Sequence, residues 1–106
     1  MTKFERGDVV VVDLGMMAKE RPCVVVSIPN PDRERNMSIV VPMTAEPRGG
    51  ECEIAFPKPA WLKKTSVVNI LGIAGVDNAK ICHRLAVFPK DKFAEIETKL
   101  SRALGF

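Results

Sequence analysis

The first apolar run of the chain follows directly on Gly7-Asp8, at Val9-Val10-Val11-Val12. β-Branched side chains have restricted χ1 and pack well on a pleated surface, so residues 8–13 are predicted to form a strand. After a short loop containing Gly15, Arg21-Pro22 leads into Cys23-Val24-Val25-Val26-Ser27. A run with no polar alternation is covered on both faces, which predicts a central strand. Met37 to Met43 reads as a third strand running into Thr44, with Pro42 near its end, where a missing N–H harms the ladder least. Between these strands, Pro29-Asn30-Pro31-Asp32 marks a turn, and the charged cluster after it belongs in solvent.

Arg48-Gly49-Gly50 turns the chain into Glu51 to Phe56, which alternates in part with the period of a strand wetted on one face. Pro57 and Pro59 end it. Thr65 to Leu71 and Ile73 to Asp77 read as strand segments broken at Gly72, while Lys80 to Leu85 falls between sheet and helix and offers His83 no patterned partner. The period then changes. From Pro89 onward, Phe93, Ile96, Leu100 and Leu104 recur at spacings of three or four, one stripe of a helix that Gly105 stops. A helix this short is marginal alone in water, so its apolar face must lie against the sheet. The predicted fold is α+β and mainly β: a small antiparallel barrel or twisted sheet with a C-terminal helix packed on it, as a single domain over residues 1–106.

Composition sharpens this only a little. With 106 residues, 46% of them hydrophobic, one packed core is feasible without a metal or disulfide. A formal net charge of +3 permits an anionic partner and identifies none. Cys23, Cys52 and Cys82 form no C-x-x-C pair and read as reduced, small core hydrophobes of a cytoplasmic protein. No stretch nears the roughly 18 apolar residues of a membrane span, so neither a membrane nor secretion is expected.

The chemistry on offer is narrow. One histidine and no tyrosine exclude a histidine-pair nuclease within one subunit. H-E-x-x-H, paired C-x-x-C, G-x-x-x-x-G-K and G-x-G-x-x-G are all missing, so metal hydrolysis and nucleotide cofactors are not expected, and no cofactor is. Polar residues at strand ends remain. Arg21 begins the second strand, where a guanidinium can grip a phosphate bidentately, or simply be a surface arginine. Thr44 ends the third, where its hydroxyl and N–H can bind a phosphate oxygen, or bond its own turn. His83 reads as structural or surface. Lys19, Arg33, Arg35, Arg48, Lys58, Lys63 and Lys64 can form a basic groove or a solvated loop face, and Phe4, Phe56, Trp61 and Phe88 can stack bases or fill the core.

The order of these segments resembles the MazF, PemK and Kid toxins of bacterial toxin–antitoxin modules over nearly the whole chain. The resemblance rests on Arg6-Gly7-Asp8-Val9-Val10-Val11-Val12-Asp13-Leu14, on Arg21-Pro22 with its hydrophobic run, and on Val40-Val41-Pro42-Met43-Thr44. Ser66-Val67-Val68-Asn69, Val76-Asp77, Arg84-Leu85 and the terminal Arg102-Ala103-Leu104-Gly105-Phe106 follow its second half. It departs at 71–77, Leu-Gly-Ile-Ala-Gly-Val-Asp, where the family's amide and guanidinium groups are missing, and at Ala45, where a second hydroxyl is common.

The resemblance implies an SH3-like barrel, a homodimer and metal-independent cleavage of single-stranded RNA. Arg21 and Thr44 match the catalytic pair. In that chemistry the ribose 2′-hydroxyl attacks the adjacent phosphorus, leaving a 2′,3′-cyclic phosphate and a 5′-hydroxyl, while the protein orients the strand and stabilises charge. Arg21 would neutralise the phosphorane and assist the departing oxygen, and Thr44 would hold a phosphate oxygen. Lys19, Arg33, Arg35, Arg48, Asn69 and Asp77 would contact RNA. A cognate acidic antitoxin, joined on operator DNA, is the implied partner. A catalytically degenerate member that binds nucleic acid, antitoxin or gyrase stays open as the alternative.

Overall fold

The computed structural model describes residues 4–15, 19–29 and 35–106. Within them the chain forms β1 (Asp8–Asp13), β2 (Glu20–Val25), β3 (Met37–Thr44), β4 (Glu53–Ala55), β5 (Val67–Asn69), β6 (Ala74–Asp77), β7 (Ile81–Val87) and α1 (Lys90–Leu104). All the pairings are antiparallel, in the order β4-β5-β3-β2-β1-β7, with β6 joining β3 on the edge that β5 uses further along.

The valine run of β1 is explained by its position. It pairs with β2 on one side and β7 on the other, and a buried cluster lies on each face. Val9 joins the larger cluster with Val24, Val41, Met43, Ile54, Val68, Phe88 and Ile96, whereas Val10 and Val12 join Cys23, Val25, Val40 and Ile81. Each such side chain contributes about 1.5–3 kcal/mol of burial. Ile54 and Val9 come from far apart along the sheet yet share one cluster, so the sheet wraps around it. β4 and β7 do not pair with each other among the described residues, so the sheet is not a closed barrel. The mainly β architecture with one C-terminal helix is otherwise the expected one.

Helix α1 presses Ile96 into the larger cluster with Phe93 and Leu100 beside it, while Leu104 is 53% exposed and drops out of the expected stripe. Gly105 adopts the left-handed conformation (φ +82°) and its N–H reaches the Arg102 carbonyl, the stop that the sequence predicts. Lys99 Nζ donates to the Glu51 carbonyl at 2.6 Å, tying the helix to the approach of β4. No helix among the described residues is long and apolar enough to cross a membrane.

Three expectations need correction. Lys80 to Leu85, expected between the sheet and the helix, falls largely within β7 (Ile81–Val87), and the strand predicted over 51–56 shortens to three residues. Cys23 is buried and its thiol is pushed up to about 12 by desolvation, but Cys52 is half-buried and Cys82 is exposed, so the core reading holds for Cys23 alone.

Candidate functional site

Antiparallel pairing sets Pro22, Val11 and His83 side by side across β2, β1 and β7. Opposed residues share a face, so the three form one row. That row is part of the floor of a cleft of about 770 Å³, with Met43 and Leu85 beside it and Trp61, Leu62, Lys63, Lys64 and Ser66 forming the facing wall. The wall is held by short local bonds: the Leu62 N–H donates to the Pro59 carbonyl at 3.1 Å, and the Ser66 hydroxyl donates to the Lys64 carbonyl at 3.1 Å. Lys19, Glu20, Arg21 and Ala45 complete the lining. Lys19, Arg21, Lys63 and Lys64 therefore set four basic side chains around a largely apolar floor, against the single carboxylate of Glu20. An extended polyanion with flat apolar bases matches such a surface.

Local backbone chemistry places the cations. Gly15 takes φ +80°, its N–H donates to Asp13 Oδ1 at 2.8 Å, and the Leu14 N–H donates to the Lys19 carbonyl at 3.0 Å, closing the turn from β1 into β2. Lys19 itself sits at φ +54°, the one non-glycine positive φ among the described residues. A non-glycine side chain held there costs free energy that the rest of the turn must offset. Arg21 follows, opposite Val12, exposed and without an ion pair among the described residues.

Thr44, at the end of β3, is not itself part of the cleft lining. Its neighbours Met43 and Ala45 line the cleft, and the Thr44 hydroxyl accepts the Glu46 N–H at 3.1 Å. The β2–β3 ladder ends with Cys23 opposite Pro42, and the same register continued by two residues sets Arg21 opposite Thr44. The hydroxyl proton of Thr44 stays available for a phosphate oxygen even while the oxygen accepts from Glu46.

Of the other residues singled out from sequence, Lys19 lines the cleft. Arg35 lies before β3, at the opposite end of that strand from Thr44, and Asp77 pairs with Met37 at the same far end. Asp77 there accepts the Ala79 N–H at 2.9 Å. Arg48 is exposed in a turn whose N–H groups are held by the Glu53 carboxylate, and Asn69 closes β5 beside Gly72. Arg33 lies outside the described residues. Phe56 and Phe88 are core, packed edge to face at 5.2 Å, and Phe4 packs on the smaller cluster, which leaves Trp61 as the aromatic of the cleft.

Sequence reasoning missed Glu20 and set His83 aside. Neither carries a local signal, because both reach the cleft only through the pairing of β1 with β2 and β7. The departure at Gly72 has a physical reason: a Cβ there would come within 2.6 Å of Pro42 Cγ, so no larger side chain fits. Among the described residues no three His, Cys, Asp or Glu side chains converge as a metal site.

The family model for the PemK-like, MazF-like toxin of type II toxin–antitoxin systems matches residues 5–104. The chain belongs to this toxin family. An endoribonuclease in complex with its cognate antitoxin, from a mycobacterial species, superposes with a TM-score of 0.82 at 25% identity, over 97% of this chain and 96% of that one. A chain of a MazE–MazF crystal structure from Deinococcus radiodurans gives 0.81 at 25% identity, over 100% of this chain and 99% of that one. An endoribonuclease from a mycobacterial species, 24% identical, has the same fold with a TM-score of 0.81, over 100% of this chain and 95% of that one. No curated protein sequence matches the chain.

Proposed function

We propose that this member of the toxin family is a metal-independent endoribonuclease that cuts single-stranded RNA, mRNA included, within a toxin–antitoxin module. The observation that carries the reading is the cleft in which Arg21 meets Lys19, Lys63 and Lys64 over an apolar floor with Trp61 in its wall. Cations grip the phosphates and the floor accepts a base. The ribose 2′-hydroxyl attacks its own 3′-phosphate, giving a 2′,3′-cyclic phosphate and a 5′-hydroxyl. Arg21 neutralises the charge gathering on the phosphorane, and Thr44 donates its hydroxyl proton to a phosphate oxygen. Fixing the strand so that the 2′-oxygen lies in line supplies much of the remaining acceleration.

The names of similar structures, an endoribonuclease with its cognate antitoxin and a MazE–MazF complex, support a cognate acidic antitoxin as partner here. An acidic segment laid along the four cations of the cleft would compete with RNA for the same charges. A homodimer, and operator DNA bound with the antitoxin, belong to the same reading on family resemblance.

The test is incubation of the purified protein with long single-stranded RNA in EDTA, with the 5′ ends of the fragments mapped. Site-selective cuts bearing 5′-hydroxyls support the proposal. An intact RNA pool rejects it in favour of a degenerate member that only binds, and binding to antitoxin, DNA and gyrase would then be measured.

A further inference from the structure

We propose that Glu20 and His83 are the proton-transferring pair of the cleft, with Glu20 the general base at the ribose 2′-hydroxyl and His83 the general acid at the departing 5′-oxygen. This rests on the nuclease reading and adds the groups that move its protons.

Attack by a 2′-hydroxyl needs one proton removed and another delivered. Arg21 steadies the charge on the phosphorane, and a guanidinium, which stays charged through a reaction, leaves both proton transfers to better-matched groups. A threonine hydroxyl is no better matched to neutral pH. A carboxylate accepts a proton readily, and an imidazole is the side chain best suited to donating one near neutrality. The described cleft holds one of each, and His83 is the chain's only histidine.

The sheet fixes where the two groups stand. Glu20 is opposite Asp13, and His83 is opposite Val11. Asp13 and Val11 are two residues apart on β1 and therefore on one face, so Glu20 and His83 share that face with β1 between them. Two strand spacings across and two residues along place their Cα atoms roughly 12 Å apart. Side chains reaching inward from that separation leave room for one ribose–phosphate unit. The register between β1 and β7 shifts between Val11 and Val12, which makes Cys82 an extra residue, a bulge of the kind that re-aims neighbouring side chains. Cys82 in turn donates its S–H to Glu20 Oε2 at 3.6 Å, a contact that steadies the carboxylate. Desolvation and then the Glu20 carboxylate raise the pKa of this thiol, which keeps it a donor.

The charged groups that line the cleft with His83 are Lys19, Glu20 and Arg21 leading into β2 and Lys63 and Lys64 in the facing wall, with Asp13 opposite Glu20 on β1 and Arg84 next to His83 on β7. In the reaction the 2′-O–H bond breaks and its proton passes to the Glu20 carboxylate. The 2′-oxygen bonds to phosphorus, the P–O5′ bond breaks, and the 5′-oxygen takes the proton of the His83 imidazolium. Exchange with water then resets a protonated Glu20 and a neutral His83.

The experiment is single-turnover RNA cleavage in EDTA from acidic to alkaline pH, for the wild type, Glu20→Gln and His83→Gln, with affinity for a 2′-O-methyl RNA measured beside it. Both residues are exposed, so both variants should fold. The wild type should give a bell-shaped profile. His83→Gln should cut slower by about 10²–10⁴-fold near neutrality and lose the alkaline limb, and Glu20→Gln should lose the acidic limb, with affinity for the 2′-O-methyl RNA kept by both. Active wild type with rate and profile unchanged in either variant overturns the pair and leaves the nuclease reading standing. A loss of affinity that accounts for the whole loss of rate, on an unaltered profile, also overturns it. A wild type that cuts no RNA removes the nuclease reading and this inference together.

Discussion

Arg6 and Arg21 stand at opposite ends of the β1–β2 hairpin and carry the same guanidinium. Arg6 Nε donates to the Val26 carbonyl at 3.1 Å, Nη2 pairs with Glu97 at 2.7 Å, and the group lies 4.7 Å from the Phe93 ring centroid. Its donors and its flat face bind the hairpin to α1. Arg21 is exposed on the lining of a cleft with other cations and without an ion pair among the described residues. One arginine is consumed by the fold, and the other lines the cleft proposed for RNA. What separates them is whether partners lie within reach, which is set by the tertiary pairing around each residue.

The largest break in this comparison should come from Arg21→Ala. It is expected to slow RNA cleavage by about 10²–10³-fold, as removal of one charge-stabilising donor does, with the melting temperature unchanged. Cleavage kinetics paired with a thermal melt check it. Ile96→Ala, which empties a fully buried site between α1 and the sheet, should cost about 2–5 kcal/mol in urea unfolding. Gly72→Ala follows at about 1–3 kcal/mol, because the new Cβ would meet Pro42 Cγ at 2.6 Å and a proline ring cannot swing aside. Arg6→Ala should be the mirror of Arg21→Ala: about 1 kcal/mol of stability lost, modest because the Arg6–Glu97 pair is 39% and 48% exposed, with cleavage per folded molecule intact.

The last prediction concerns Cys23 and is confined to alkaline pH. Its folded thiol keeps its proton up to about 12, whereas the unfolded thiol releases it near 9.0. Between these values the native state binds the extra proton, so the contribution to stability is full below 9.0 and declines as pH rises toward about 12. The slope is at most about 1.4 kcal/mol per pH unit. Cys23→Val should flatten that part of the profile, which unfolding curves at alkaline pH would reveal.

Legibility in the sequence followed the same division. β1, β2, β3 and α1 declare themselves because burial on both faces, or on one helical stripe, writes a periodic apolar pattern. β7 did not, since register shifts on either side of the Val10–Val11 pairing break the alternation and leave Cys82, His83 and Arg84 exposed in succession. Of the cleft lining, the sequence singles out Arg21, at a recognisable strand end, and Lys19, among the loop charges, whereas Thr44 is flanked by lining residues without lining the cleft itself. Lys63, Lys64 and Trp61 were visible as charge and aromatic content without a location. Glu20 and His83 were hidden because their proximity exists only once β1 lies between β2 and β7.

The most direct test of the central claim sets the two arginines against each other in one assay: single-stranded RNA in EDTA, cut by the wild type, Arg6→Ala and Arg21→Ala, with the 5′ ends identified. The account predicts site-selective fragments with 5′-hydroxyl ends from the wild type and Arg6→Ala, and cutting slowed by about 10²–10³-fold in a folded Arg21→Ala. Equal cutting by Arg21→Ala, or fragments bearing 5′-phosphates, would contradict it.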